Sequence, residues 1–350
     1  MFEIGSGGLQ SDHEVFGVDM ENGEHRERTR ESLDIILNLW EHVDGPFKYK
    51  GKFWDVNIPD PKDYEYADLR THITPYQKPH PPIGVAGASP GSDTLKIVGE
   101  RGYIPMSLGL NAVYVASHWD AVKEGAAASG KTPPSRREWR IVRDIWVAET
   151  DAEARESAIN GMLGRAWKEY LHPLFSSGAY PFVSFLKHDE SMSDDGVTLE
   201  YMLDNLWLVG SAETVTEKIR ELYDTVGGFG HLLWLTFDHA DNSEAYETSM
   251  RLLAQEVIPK LSELKGEYYG RSFICVFPQL LSNVVAQSKI PSRVHLDLTQ
   301  KYQFSLYFND RHKKKAPATR LPPKTAPNNM LANICLMENT GTRSTPLTSV

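Results

Sequence analysis

The chain has 350 residues, 41% of them apolar and 24% charged, the composition of a soluble globular protein that can bury a sizeable core in one large domain or two ordinary ones. No stretch approaches the roughly 18 uninterrupted apolar residues of a membrane helix, and residues 1–14 lack the basic start and apolar centre of a signal peptide, so the cytoplasm is expected and no membrane partner. The net charge of −10 is divided: residues 1–265 carry 26 Lys+Arg against 43 Asp+Glu and residues 266–350 carry 11 against 4, an acidic body that excludes a nucleic-acid surface, which needs clustered Lys and Arg.

In chain order, Phe2 and Ile4 predict a stub of strand that runs into Gly5-Ser6-Gly7-Gly8, a turn or a ligand cradle. Residues 22–43 place Leu33, Ile36, Leu37 and Trp40 on one face of an amphipathic helix. The Pro-rich excursion of residues 45–82 contains alternation at Phe47/Tyr49 and Phe53/Val56 that predicts a short hairpin. A small-residue strand is expected at 82–88, a helix at 91–101, a strand at 103–108, a helix at 112–128 and a strand at 139–147. Thr150 and Glu153 have the spacing of a capping box and start a helix at Asp151. Residues 170–208 read as irregular and aromatic, 212–226 as a helix, 231–237 as an apolar strand and 242–264 as a closing helix. About five strands alternating with about five helices predict an α/β fold with a parallel sheet, either doubly wound or a β/α barrel. Past Lys265 the periodicity stops. The apolar run 273–281 stands isolated, and residues 313 onward have a composition that predicts disorder.

Few residues can carry chemistry. Val85-Ala-Gly-Ala-Ser89-Pro90-Gly91-Ser92-Asp93 ends a strand in two hydroxyls at the start of a helix. Free amides, a glycine and hydroxyl donors at such a place suit a phosphate, and Ser89 as a plain N-cap is the alternative. Asp238-His239 follows the last strand, where barrel enzymes place catalytic groups, although a surface or capping pair is the commoner meaning. Trp234 and Phe237 suit a core as well as a pocket. Arg143, in an apolar strand, must reach solvent, a carboxylate or an anion, with Asp144 on the opposite side. No spacing of His, Asp or Glu predicts a metal site. Cys275 and Cys335 both lie in the tail, so the body offers no cysteine chemistry.

The order of these pieces resembles the bacterial-luciferase-like, flavin-dependent monooxygenases. Ile4-Gly-Ser-Gly-Gly-Leu-Gln-Ser-Asp-His-Glu-Val-Phe-Gly-Val-Asp19 is similar to the family's fourth-strand segment, and Gly45 to Trp54 to its "G.F.Y.G..W" passage. Residues 82–92 resemble its fifth strand and flavin-phosphate turn, Val209-Gly-Ser-Ala-Glu-Thr-Val215 its "GSPETV" helix entry, and residues 250–261 its closing helix. Glu3 stands where the family usually has Gly. The resemblance spans roughly residues 2–265 and is nearest to limonene- and alkane-type members. It implies a (β/α)8 TIM barrel, here partial because the chain starts at the fourth strand and lacks the first three with their active-site His. It further implies oxygenation of a small organic, apolar substrate by O2 and reduced FMN. Ser89, Gly91 and Ser92 would hold the FMN phosphate, and Ser6 and Gly7 would lie beside the flavin. The catalytic base stays unassigned. A flavin reductase and a second copy of the chain are the expected partners. A deazaflavin-dependent oxidoreductase on the same barrel, or a truncated, inactive flavin-binding fragment, are the competing expectations, with residues 266–350 a tail outside the family pattern.

Overall fold

The computed structural model describes residues 1–42, 45–60, 74–89, 91–177, 182–262, 264 and the pair Ile274–Cys275. In chain order, β1 (Phe2–Ile4) leads through α1 (Gln10–Phe16) and α2 (Glu24–Glu41) to a hairpin of β2 (Phe47–Lys50) and β3 (Asp55–Ile58). Next come β4 (Ile83–Gly87), α3 (Asp93–Arg101), β5 (Ile104–Ser107), α4 (Ala112–Ala128), β6 (Arg140–Ala148) and α5 (Asp151–Asn160). Short helices α6 (Met162–Ala166), α7 (His172–Phe175) and α8 (Leu199–Asn205) precede β7 (Leu208–Ser211), α9 (Ala212–Val226) and β8 (His231–Leu235). The described chain ends with α10 (Ser243–Leu252), α11 (Ile258–Lys260) and β9 (Ile274–Cys275).

Every pairing in the main sheet is parallel, in the order β1-β4-β5-β6-β8-β9. β8 lies along the first part of β6 (Arg140↔His231 to Asp144↔Leu235) and β7 along the rest (Ile145↔Leu208 to Ala148↔Ser211). The described strands form a partial barrel that does not close into a ring. Because partners in a parallel ladder share a face, the register sorts the side chains into two sets. Ile83, Val85, Ser107, Ile141, Arg143, Leu232 and Trp234 are buried beneath the helices. Ala86, Val142, Asp144 and Leu233 on the other face are half-buried, and Leu235 is exposed. Strands covered on both sides read as continuous apolar runs, as β6 does at Ile145–Val147, whereas over Arg140–Asp144 its burial alternates because only one face is fully covered there.

Two helices cross without side chains between them. A Cβ added at Gly99 of α3 would lie 2.0 Å from the Val122 carbonyl oxygen, and one at Gly125 of α4 would lie 2.0 Å from the Lys96 carbonyl oxygen. The backbones of α3 and α4 therefore touch along the middle and second half of α3. The hairpin is fastened to α2 by one carboxylate: Glu31 accepts the amides of Lys52, Phe53 and Trp54 at 2.9–3.2 Å.

The expected hairpin, the helices at 112–128 and 212–226, and the Thr150/Glu153 capping box are present as predicted. Not expected were α1, β7 and the short helices α7 and α8 inside the stretch read as irregular. At four or seven residues each, they are too short to show a period. The helix expected from residue 91 begins at Asp93 with Ser92 as N-cap, because Gly91 adopts φ +56°, a left-handed conformation that a helix cannot include. Ile274 and Cys275 pair with Leu232 and Leu233, so that part of the apolar run 273–281 is joined to the sheet. The rest of residues 265–350, including the expected disorder and Cys335, lies outside the described residues.

Candidate active site

Parallel pairing of β1 with β4 (Phe2↔Ile83, Ile4↔Val85) brings the loop after one strand beside the turn after the other. Both leave from the carboxyl end of the sheet, where parallel α/β folds bind ligands. Between them lies a cleft of about 540 Å³ lined by Ser6, Gly7, Ala88, Ser89 and Ser92, by His13 and Glu14 of α1, by His25 and Arg26 of α2, and by Phe182 and Phe185 from beyond α7. That volume falls in the range of small-molecule and cofactor sites. Four of the five residues expected at a flavin site thus share one cavity. Gly91 is not among its lining residues, and its N–H donates to Ser117 Oγ at 2.9 Å. Its part is the left-handed turn rather than a free donor. Pro90 lies outside the described residues.

The turn after β4 is held from two sides. Thr94 Oγ1 donates to the Ala86 carbonyl at 3.0 Å, so it accepts the hydroxyl proton of Ser92 at 2.7 Å. From α4, His118 Nε2 lies 2.8 Å from the Ser89 carbonyl oxygen and His118 Nδ1 lies 2.8 Å from Ser107 Oγ, which accepts from Trp139 Nε1 at 2.9 Å. A carbonyl only accepts, so Nε2 carries the proton and Nδ1 accepts from Ser107. The ring is fully buried, and burial pushes its pKa down to about 4. His118 is neutral at pH 7, in one tautomer.

On the opposite wall, His13 and His25 meet edge to face with ring centroids 4.9 Å apart. Both are more than nine-tenths buried. His13 Nε2, His25 Nδ1 and Ser6 Oγ have no hydrogen-bond partner among the described residues. Burial first, then Arg26 and His13, lower the pKa of His25. Unpaired buried polar atoms cost about 1–3 kcal/mol each, and three of the five found among the described residues lie in this wall, which makes it the candidate site. Ser6, Gly7, His13 and His25 also face a second, more open depression of about 690 Å³ beside Trp54 and Ser32. Sequence reasoning missed both histidines. His13 was visible only as one letter of the resembling segment, and His25 as a polar position on a helix.

The other candidates lie elsewhere. Asp238 accepts the Ala240 amide at 3.0 Å, while the His239 ring stacks on Tyr246 with centroids 4.4 Å apart; neither lines the cleft. Trp234 is buried and Phe237 packs against the core. Arg143 reaches neither solvent nor an anion. Its guanidinium donates to the carbonyls of Val142, in its own strand, and Leu110, in the loop after β5, at 2.9 and 3.0 Å, so backbone acceptors satisfy it. Asp144, on the half-open face, has an unpartnered Oδ1, and burial raises its carboxyl to about 7 against the opposing effect of Arg143. No group of three or more His, Cys, Asp or Glu among the described residues could hold a metal ion. No helix among the described residues is long and apolar enough to cross a membrane.

Residues 1–228 match the luciferase-like monooxygenase family. The chain belongs to that family. It is 32% identical over 237 residues to 3,6-diketocamphane 1,6-monooxygenase of Pseudomonas putida, covering 66% of this chain and 61% of that one. To 2,5-diketocamphane 1,2-monooxygenase 1 of the same organism it is 32% identical over 268 residues, covering 74% and 70%. Among solved structures it is similar to the oxygenating constituent of the Pseudomonas putida 3,6-diketocamphane monooxygenase, a type II Baeyer-Villiger monooxygenase in complex with FMN. That match has a TM-score of 0.61 at 30% identity and covers 74% of this chain and 70% of that chain. The chain thus spans about two thirds of the length of these family members.

The residues present fit a flavin phosphate. The cleft opens at the start of α3, with the Ser89 side chain beside it, the Ser92 hydroxyl engaged by Thr94, and an unpaired Ser6 hydroxyl among the lining residues.

Proposed function

We propose that this chain is the oxygenase of a two-component flavin monooxygenase, which takes FMN reduced by a separate reductase and oxygenates a small, largely apolar organic molecule with O2. The observation that carries this reading is the meeting of the Ser6-Gly7 loop and the Ser89–Ser92 turn in one cleft. Bound there, reduced FMN supplies the electrons that activate oxygen. The chain's own residues do the rest. The turn after β4 and the start of α3 hold the phosphate, Gly7 lets the ring system approach, and Phe182 and Phe185 exclude water from the cleft. His13 and His25 form the wall beside the Ser6-Gly7 loop, with their unpaired imidazole nitrogens buried behind its surface.

FMN binding, read by quenching of flavin fluorescence, tests the assignment. The full chain is expected to bind FMN, and Ser89→Ala/Ser92→Ala to bind it at least about tenfold more weakly, the loss of one or more hydrogen bonds to an anion. Preference for a deazaflavin over FMN would instead make the chain a hydride-transfer enzyme.

A further inference from the structure

We infer that His118 is the positioning residue of the cofactor site: from α4 it sets the conformation of the turn after β4, and through that turn the affinity for the flavin phosphate. This inference rests on the functional reading given above and adds a residue that makes no contact with the cleft.

The geometry leaves one arrangement of protons. Trp139 donates to Ser107, Ser107 donates to His118 Nδ1, and His118 Nε2 donates to the Ser89 carbonyl, all within 2.8–2.9 Å. Each member has one remaining role once its neighbour is fixed, so the chain cannot reverse. The indole at its far end is itself immobile. Trp139 is fully buried, with the Trp119 ring 5.3 Å away and the Arg136 guanidinium 5.4 Å from its centre. Ser117, the residue before His118, accepts the Gly91 amide at 2.9 Å and donates to the Tyr114 carbonyl at 2.6 Å. Two consecutive residues of α4 therefore grip the turn on both sides of position 90, one by a carbonyl and one by an amide. The Ser89 carbonyl and the Gly91 amide are thus both engaged by α4. What remains directed at the cleft is the Ser89 side chain and the amides that begin α3. α3 alone could not do this, because Gly91 breaks its continuity with the strand.

Substitution by asparagine or by glutamine separates the two contacts of the imidazole. In His118→Asn the shorter side-chain amide reaches the position of Nδ1 and can accept from Ser107, but it leaves the Ser89 carbonyl without a donor. In His118→Gln the longer amide reaches the position of Nε2 and can still donate to Ser89. The full chain is compared as wild type, His118→Gln and His118→Asn by hydrogen exchange of the amides of Ser89 and of residues 91–94 and by affinity for FMN and for riboflavin, which lacks the phosphate. His118→Asn is expected to speed exchange in the turn and weaken FMN by about tenfold with riboflavin little changed, and His118→Gln to restore both to within about threefold of wild type. Equal behaviour of the two variants in exchange overturns the positioning role, since a residue that only fills space does not distinguish them. If exchange separates the variants but no form binds FMN, positioning is supported and the flavin reading falls.

Discussion

At the scale of single residues, the cleft has traded stability for function. His25 and His13 keep buried nitrogens unpaired, and an aromatic ring of similar shape removes that cost. His25→Phe is therefore expected to hold or raise the melting temperature while lowering product formation at least about tenfold, a stability–activity exchange read by thermal melts beside a coupled oxygenation assay. A variant that is both less stable and fully active would show that the pair is only packing. His118 adds a pH dependence. Its folded pKa of about 4 lies below the ordinary 6.5, so the unfolded chain takes the proton first. The stability that His118 supports is complete above about 6.5 and is lost as pH falls toward 4, amounting to about 2 kcal/mol by pH 5. His25, His231 and His239, also lowered by burial, act in the same direction, and the raised Asp144 opposes them. Denaturant titrations at pH 7 and pH 5 should show a smaller difference for His118→Gln than for wild type. At this scale the sequence displayed Ser6, Gly7, Ser89 and Ser92 because small residues at strand ends stand out. It hid His13, His25 and His118, whose importance comes from neighbours 11 to 29 positions away.

At the scale of elements, the crossing of α3 and α4 admits no side chain between the two backbones. Gly99→Ala must push a methyl into the Val122 carbonyl, and overpacking of this kind costs typically about 1–3 kcal/mol. Because the same crossing holds α3 beside the clamp from α4, FMN affinity should fall with it, which urea unfolding and flavin titration on one preparation would reveal together. The capping box is a milder case. Thr150 and Glu153 bond each other's backbone at 3.2 Å, so Thr150→Ala is expected to remove about 1 kcal/mol and leave FMN affinity unchanged. The box was readable from four adjacent letters. The glycine crossing was not, since a glycine inside a helix reads as a weakness until its partner helix is known.

For the molecule as a whole, the register of the parallel sheet divides neighbours into different fates. Trp234 is 4% exposed and Leu235 is 42% exposed. Trp234→Ala is expected to cost about 3–5 kcal/mol, and Leu235→Ser to stay within about 0.5 kcal/mol, measured by denaturant unfolding. Similar losses at both positions would mean that the face bearing Leu235 is covered in solution. The parallel α/β architecture was legible because strands and helices alternate at regular spacing. The two-part pairing of β6 was not, because β7 is four residues long and lies in an irregular stretch. That pairing has a consequence during synthesis. Arg140 waits for His231, about ninety residues later, and at roughly 5–20 residues per second the nascent β6 stands with one edge unpaired for about 5–20 seconds. Ile141 and Arg143 lack their neighbours Leu232 and Trp234 for that interval, which offers a ribosome-associated chaperone an open strand edge in the first half of β6.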